Sequence, residues 1–152
     1  MPDMDLKIRL LIVILILAAC DLTARPEPPL PPLLVNVTAG GGWWGACPPK
    51  TKTEEDMIRS WKGQLALSPE LNERLTKEFP PGTDESQLIG LLTKQGFEMQ
   101  PSCSNDQSIH RASFTQHGGS GFAYRMLADI FWKVDERNAI VWTKGFVMNN
   151  GL

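Results

Sequence analysis

Three cysteines, Cys20, Cys47 and Cys103, and two histidines, His110 and His117, are the side chains here whose types could carry chemistry. A histidine pair holding a metal needs carboxylate or thiolate co-ligands at a workable spacing. Asp106 and Asp129 are on offer, but neither makes a ligand pattern with His110 or His117. Hydrolysis needs an activated nucleophile. Ser120 stands in His117-Gly118-Gly119-Ser120-Gly121-Phe122, which lacks the strained Gly-x-Ser-x-Gly elbow. A glycine-rich hairpin connection is the simpler reading of 117–121. Neither Cys47 nor Cys103 belongs to a Cys-x-x-Cys pair or adjoins a cationic helix start, the settings that make a thiolate reactive. No phosphate-cradling glycine motif occurs. The expectation is a non-enzyme with no catalytic residue, no metal, no cofactor and no small-molecule substrate.

Charge narrows the partners. With 15 Lys and Arg against 17 Asp and Glu, the net charge is −2 and no basic stripe exists, so nucleic acid is not an expected partner. A length of 152 residues suits one domain with appendages.

The N-terminus is more telling. Lys7 and Arg9 precede an unbroken apolar run, Leu10 to Ala19. A membrane-spanning helix needs about 20 apolar residues, and this run is about half that. Pro26, Pro28 and Pro29 prevent the helix from continuing downstream. A positive start and a short apolar core are the parts of a signal peptide. The end of the run, Leu17-Ala18-Ala19-Cys20, resembles the lipobox of bacterial lipoproteins. That resemblance implies cleavage before Cys20, a diacylglycerol on its thiol and acylation of its freed amine. Each buried CH₂ contributes about 0.8 kcal/mol, so one acyl chain holds marginally and two or more hold firmly. Asp3 and Asp5 dilute the positive region, and a start at Met4 would leave a cleaner signal. An acid directly after the lipidated cysteine resembles the inner-membrane retention signal of enteric bacteria. Asp21 therefore leans towards the inner membrane, with the choice of membrane left open. The implied location is a lipid-anchored, periplasm-facing position on the bacterial cell membrane.

Lipidation of Cys20 would turn an odd cysteine count into an even one. Cys47 and Cys103 could then pair in an oxidising periplasm, or stay as two buried thiols. A bridge between them would add about 4 kcal/mol on loop-closure entropy.

The elements that must position these residues follow in order. Residues 1–19 form the signal, and 20–50 a lipidated tether. Within it "DLTARPEPPLPPLL", 21–34, favours polyproline geometry and a semi-rigid spacer. "AGGGWWGACPP" follows, in which Trp43 and Trp44 either pack on the domain near Cys47 or sit in a membrane interface or a partner's groove. A single domain is expected over 51–152. A first helix is expected over about 53–66, capped by Thr53, with Met57, Ile58, Trp61 and Leu65 as its apolar stripe. Ser68-Pro69 opens a second, striped by Leu71, Leu75 and Phe79. Pro80-Pro81-Gly82 turns the chain, and Thr83 caps a third, with Asp84 and Glu85 on its first turn, Leu88, Leu91 and Leu92 inward and Gly96 as its stop.

Beyond it the pattern alternates: strands at 108–116, from Phe122 to Val134 and at 139–147, with a turn at 135–138. On the central strand Phe122, Tyr124, Met126, Ala128, Ile130, Trp132 and Val134 should share the core face, and Arg125, Asp129 and Lys133 the opposite one. The expected class is α+β, two or three short N-terminal helices packed on a three- to four-stranded antiparallel β-meander, with the second sheet face open to solvent or a partner.

This layout, with "G-T-x-x-x-x-L-x-x-L" from Gly82 to Leu91 and "FWKVDERNAIV" from Phe131 to Val141, resembles the small BamE/SmpA-type envelope lipoproteins. The β-lactamase-inhibitor-like modules share it. The family's usual helix-ending glycine-proline step is replaced by Gln95-Gly96-Phe97. The resemblance implies a non-catalytic module that binds another envelope protein, in envelope assembly, or else an inhibitor or immunity lipoprotein that occludes a hydrolase or toxin.

Overall fold

The computed structural model describes residues 29–39, 47–48, 53, 55–56, 59, 67–117 and 125–150. Cys20, Trp43 and Trp44 lie outside these, as does most of the helix expected over 53–66. At its start, Thr53 Oγ1 accepts the Asp56 N–H at 3.1 Å, as a capping residue should. Among the described residues no helix is long and apolar enough to cross a membrane.

Helix α1 runs Pro69–Glu78. Ser68 caps it by accepting the Leu71 N–H, Pro69 fits the first turn and Glu70 faces the positive end of the helix dipole. Leu71 and Leu75 are fully buried, and Phe79 nearly so. Helix α2 runs Glu85–Lys94. Its cap is Asp84, whose Oδ1 accepts the Ser86 N–H at 2.9 Å, and not Thr83 as the sequence suggested. Thr83 instead closes the preceding turn, donating its hydroxyl to the Pro80 carbonyl at 2.7 Å while its own carbonyl accepts the Ile140 N–H. Shifting the cap by one residue turns Glu85 inward. Gly96, at φ 82°, supplies the left-handed stop.

Four strands follow: β1 Glu98–Gln100, β2 Ile109–His117, β3 Arg125–Val134 and β4 Ile140–Asn150. They form one antiparallel sheet in sequence order. Helices and an antiparallel sheet make the class α+β. The helices do not simply precede the sheet, however. Leu67 already bridges Phe146 ahead of α1, and Asp84 bridges Ala139 between the helices. The β3–β4 turn is held by Asp135, whose Oδ1 accepts the N–H groups of Arg137 and Ala139, both at 2.9 Å. Asn138 takes φ 58° there, a conformation asparagine tolerates.

One sheet face carries Ala112, Phe114, Ala128, Ile130, Trp132 and Val134 into the main core with α1 and α2. The other face is not open, which corrects the expectation of an exposed face at Asp129. Phe131, Phe146, Ile109 and Cys103 form a second buried cluster, joined by Cys47, Leu67 and Trp142. Phe131 meets Phe146 edge-on at 5.8 Å, and Asp129 is only 5 % exposed. The alternation on this face reads Leu127, Asp129, Phe131, Lys133, which is only half polar. A phenylalanine amid charges is enough to recruit cover. The Cys47–Cys103 disulfide, with Cα atoms 5.6 Å apart, ties that cover down.

The outer edge of β4 is also occupied. Gly145 lies opposite Ile130. Its N–H donates to Asn72 Oδ1 at 3.1 Å, and its carbonyl accepts from Asn72 Nδ2 at 2.7 Å and from the Ser68 N–H at 3.1 Å. One side-chain amide thus stands in for the peptide group of a further strand.

The largest departure from expectation is the tether. Its downstream end is a strap built into the domain. Pro32–Leu34 forms a 3₁₀ turn in which Leu33 and Leu34 are 4 % and 0 % exposed. Burying each leucine contributes about 1.5–3 kcal/mol, which favours docking over a solvated spacer. The Leu33 N–H donates to Gln95 Oε1 at 3.0 Å, and Arg74 donates to the Leu33 carbonyl at 2.8 Å. The folded unit therefore includes Leu30 to Ala39, upstream of the boundary expected at residue 51. Residues 21–28 lie outside the described set.

The strap's far end is pinned electrostatically. Glu70 accepts the Thr38 hydroxyl at 2.7 Å and the Thr38 N–H at 3.1 Å. The Thr38 hydroxyl, then backbone N–H groups, draw the Glu70 carboxyl down from 4.5 to about 2. A carboxyl held below its ordinary value stabilises the docked strap fully above about pH 4.5, and that contribution fades as pH falls towards 2. In an NMR titration the Thr38 amide should shift with a midpoint near pH 2, and Glu70→Ala should abolish the shift. A midpoint near 4.5 would refute the clamp.

Candidate functional site

The most concentrated polar chemistry in the described residues lies where α2 starts against the sheet. His110 on β2 and Trp132 on β3 are cross-strand partners. Their rings meet edge to face, with centroids 5.9 Å apart. Because Glu85 begins α2 one residue after its cap, its side chain drops between them. Glu85 Oε1 accepts the Trp132 indole N–H at 2.6 Å and contacts His110 Nδ1 as well. The Glu85 backbone N–H donates to the Asn138 carbonyl at 3.0 Å. Trp132 is 1 % exposed and Glu85 9 %, whereas the His110 side chain retains 29 % exposure.

A carboxylate aligned with an imidazole can orient the ring and support proton transfer. Catalysis would require a substrate or nucleophile within reach of the other ring nitrogen. The recorded polar partner of His110 is Glu85, and that carboxylate is already engaged by Trp132. The triad behaves as a lock between α2 and strands β2 and β3. The sequence marked Glu85 only as an acid on a first helical turn; its role depends on the register that sets His110 opposite Trp132.

The other sequence candidates are dispersed. His117 ends β2, seven residues from His110; at about 3.3 Å per residue their backbones are about 23 Å apart. Asp106 accepts the Ser108 hydroxyl at 2.6 Å and lies 3.6 Å from Lys133 Nζ. The Ser108 hydroxyl and Lys133 hold its carboxyl below the ordinary range. Asp129 sits on the sheet face opposite Trp132 and His110, so the aspartates and His110 do not converge. Among the described residues no three His, Cys, Asp or Glu side chains are arranged to hold a metal ion.

Two shallow grooves flank the β3–β4 turn. One, about 690 Å³, is lined by Gly82, Asp84, Asp135, Arg137 and Val141; the other, about 620 Å³, by Ser108, Val134, Asp135, Glu136 and Arg137. Asp84 and Asp135 stay ionised readily. The Ser86 hydroxyl and N–H lower the first, and the Ala139 and Arg137 N–H groups lower the second.

Of the residues singled out by sequence, Cys47 and Cys103 are brought together as a disulfide. Cys20, Trp43 and Trp44 lie outside the described residues. No protein-family model matches the chain, and neither the curated proteins nor the solved structures provide a match.

Proposed function

We propose that this chain is a bacterial envelope lipoprotein, anchored through acyl chains on Cys20 and acting as a non-catalytic protein-interaction module facing the periplasm. The observation that carries the reading is the use of the cysteines. Cys47 and Cys103 are joined across 56 residues, which fits an oxidising compartment and leaves Cys20, at the end of the lipobox-like run, as the remaining thiol. Glu85 Oε1 meets both the Trp132 indole N–H and His110 Nδ1, so these three side chains tie α2 to the sheet, which favours a structural role for them. The partner is another envelope protein, as the BamE/SmpA-like ordering of helices and meander implies, with Trp43 and Trp44 as candidate contacts.

Cys20→Ser is the direct test. The variant should lose metabolic acyl labelling and move from the membrane to the soluble fraction of the envelope. Unchanged membrane retention would defeat the anchor. Cross-linking of the wild-type chain in its own envelope identifies the partner. Assembly machinery supports the proposal, and a toxin or lytic enzyme would assign the inhibitor or immunity role instead.

A further inference from the structure

The docked strap gives the domain two unlike poles, and we infer that the pole at the C-terminal end of α2 faces the bilayer while the β3–β4 turn faces away from it. This rests on the anchor at Cys20 proposed above. Leu33, on the strap, is bound by Gln95 immediately after α2. At the other end of the same helix, Glu85 is bound to Asn138 in the β3–β4 turn. The ten residues of α2 therefore separate the two ends by about 15 Å. Chain reaching the domain from Cys20 arrives at the first of them.

The reach of that chain is short because the strap is part of the fold. Ten residue steps separate Cys20 from Leu30, which already packs on the core. Fully extended, ten residues span at most about 36 Å. A spacer ending at residue 50 would reach about three times as far; one ending at Leu30 holds the near pole, on average, closer to the bilayer than the far one. The grooves beside Asp135 and Arg137 lie at the pole facing away from the bilayer.

The test uses the full lipidated chain in vesicles carrying a headgroup energy-transfer acceptor, with a single donor fluorophore on Lys94→Cys or Glu136→Cys and the native disulfide intact. Lys94 closes α2 at the near pole and Glu136 lies in the distal turn, and both are exposed. Transfer from position 94 should exceed transfer from 136, with a distance difference approaching the length of α2. Equal transfer, or more from 136, overturns the orientation. Failure of the wild-type chain to carry lipid or bind vesicles is a separate result, and it would count against the anchor itself.

Discussion

Gly145→Ala should lower the free energy of unfolding by about 3 kcal/mol, read as a shift in denaturant midpoint with little change in slope. A Cβ on Gly145 would stand 2.5 Å from Leu71 Cδ2 and Cγ and 3.0 Å from Leu75 Cδ1. Real carbon atoms do not approach to 2.5 Å, so α1 must lift from β4 or Leu71 must leave its position, while Leu75 must give by a few tenths of an ångström. Neither leucine is free to move, since both are fully buried. Overpacking of this kind usually costs about 1–3 kcal/mol, and a helix–strand contact with two clashing residues belongs at the upper end. Combining Gly145→Ala with Leu71→Ala gives the control. If the clash is the cause, the double variant should be more stable than the sum of the single losses implies, because truncation opens the space the new methyl needs. Strict additivity would show that Gly145 is required for some reason other than the approach of Leu71.

Glu85→Ala should cost a similar amount, about 3 kcal/mol, by a different route. It leaves the Trp132 indole N–H, almost wholly buried, without its acceptor and removes the recorded partner of His110. An unsatisfied buried donor carries a penalty of about 1–3 kcal/mol, and the lost packing adds to it. In Trp132→Phe the orphaned donor is absent. Glu85→Ala should therefore be milder in that background by about 1 kcal/mol or more. A loss of the same size in both backgrounds would mean that the indole hydrogen bond contributes nothing. A near-ultraviolet circular dichroism change in Glu85→Ala that is absent in the Trp132→Phe background, without global unfolding, would mark the same lock opening locally.

Local signals were legible where one stretch of chain decides its own structure. Ser68-Pro69 began α1, Gly96 ended α2, and the run after the glycine-rich connection became β3. Pairing across the sheet was not legible. The sequence placed Asp129, with Arg125 and Lys133, on a face open to solvent or a partner, yet Phe131 two residues on belongs to a second buried cluster on that face. It read Pro31-Pro32-Leu33-Leu34 as spacer because prolines dominate the count, while the two leucines decided the energetics. Glu85 escaped notice because a first-turn acid has a local explanation that is sufficient by itself; only the register of β2 against β3 reveals its second use. The Thr83-for-Asp84 displacement is the same lesson at one-residue scale, since either residue could cap and the choice fell to contacts with Ile140 and Ala139.

The amide of Asn72 has a consequence for how these molecules behave in a crowd. A sheet edge with bare N–H and C=O groups is a template for a strand from any neighbouring molecule, and like proteins concentrated together are the readiest source of one. On β4 the backbone groups of Gly145 are taken by Asn72 and Ser68, and Leu67 bridges Phe146 beside them. An incoming strand would have to break these bonds before making its own. The same side chain that fixes α1 to the sheet thereby guards this part of the β4 edge against strand addition.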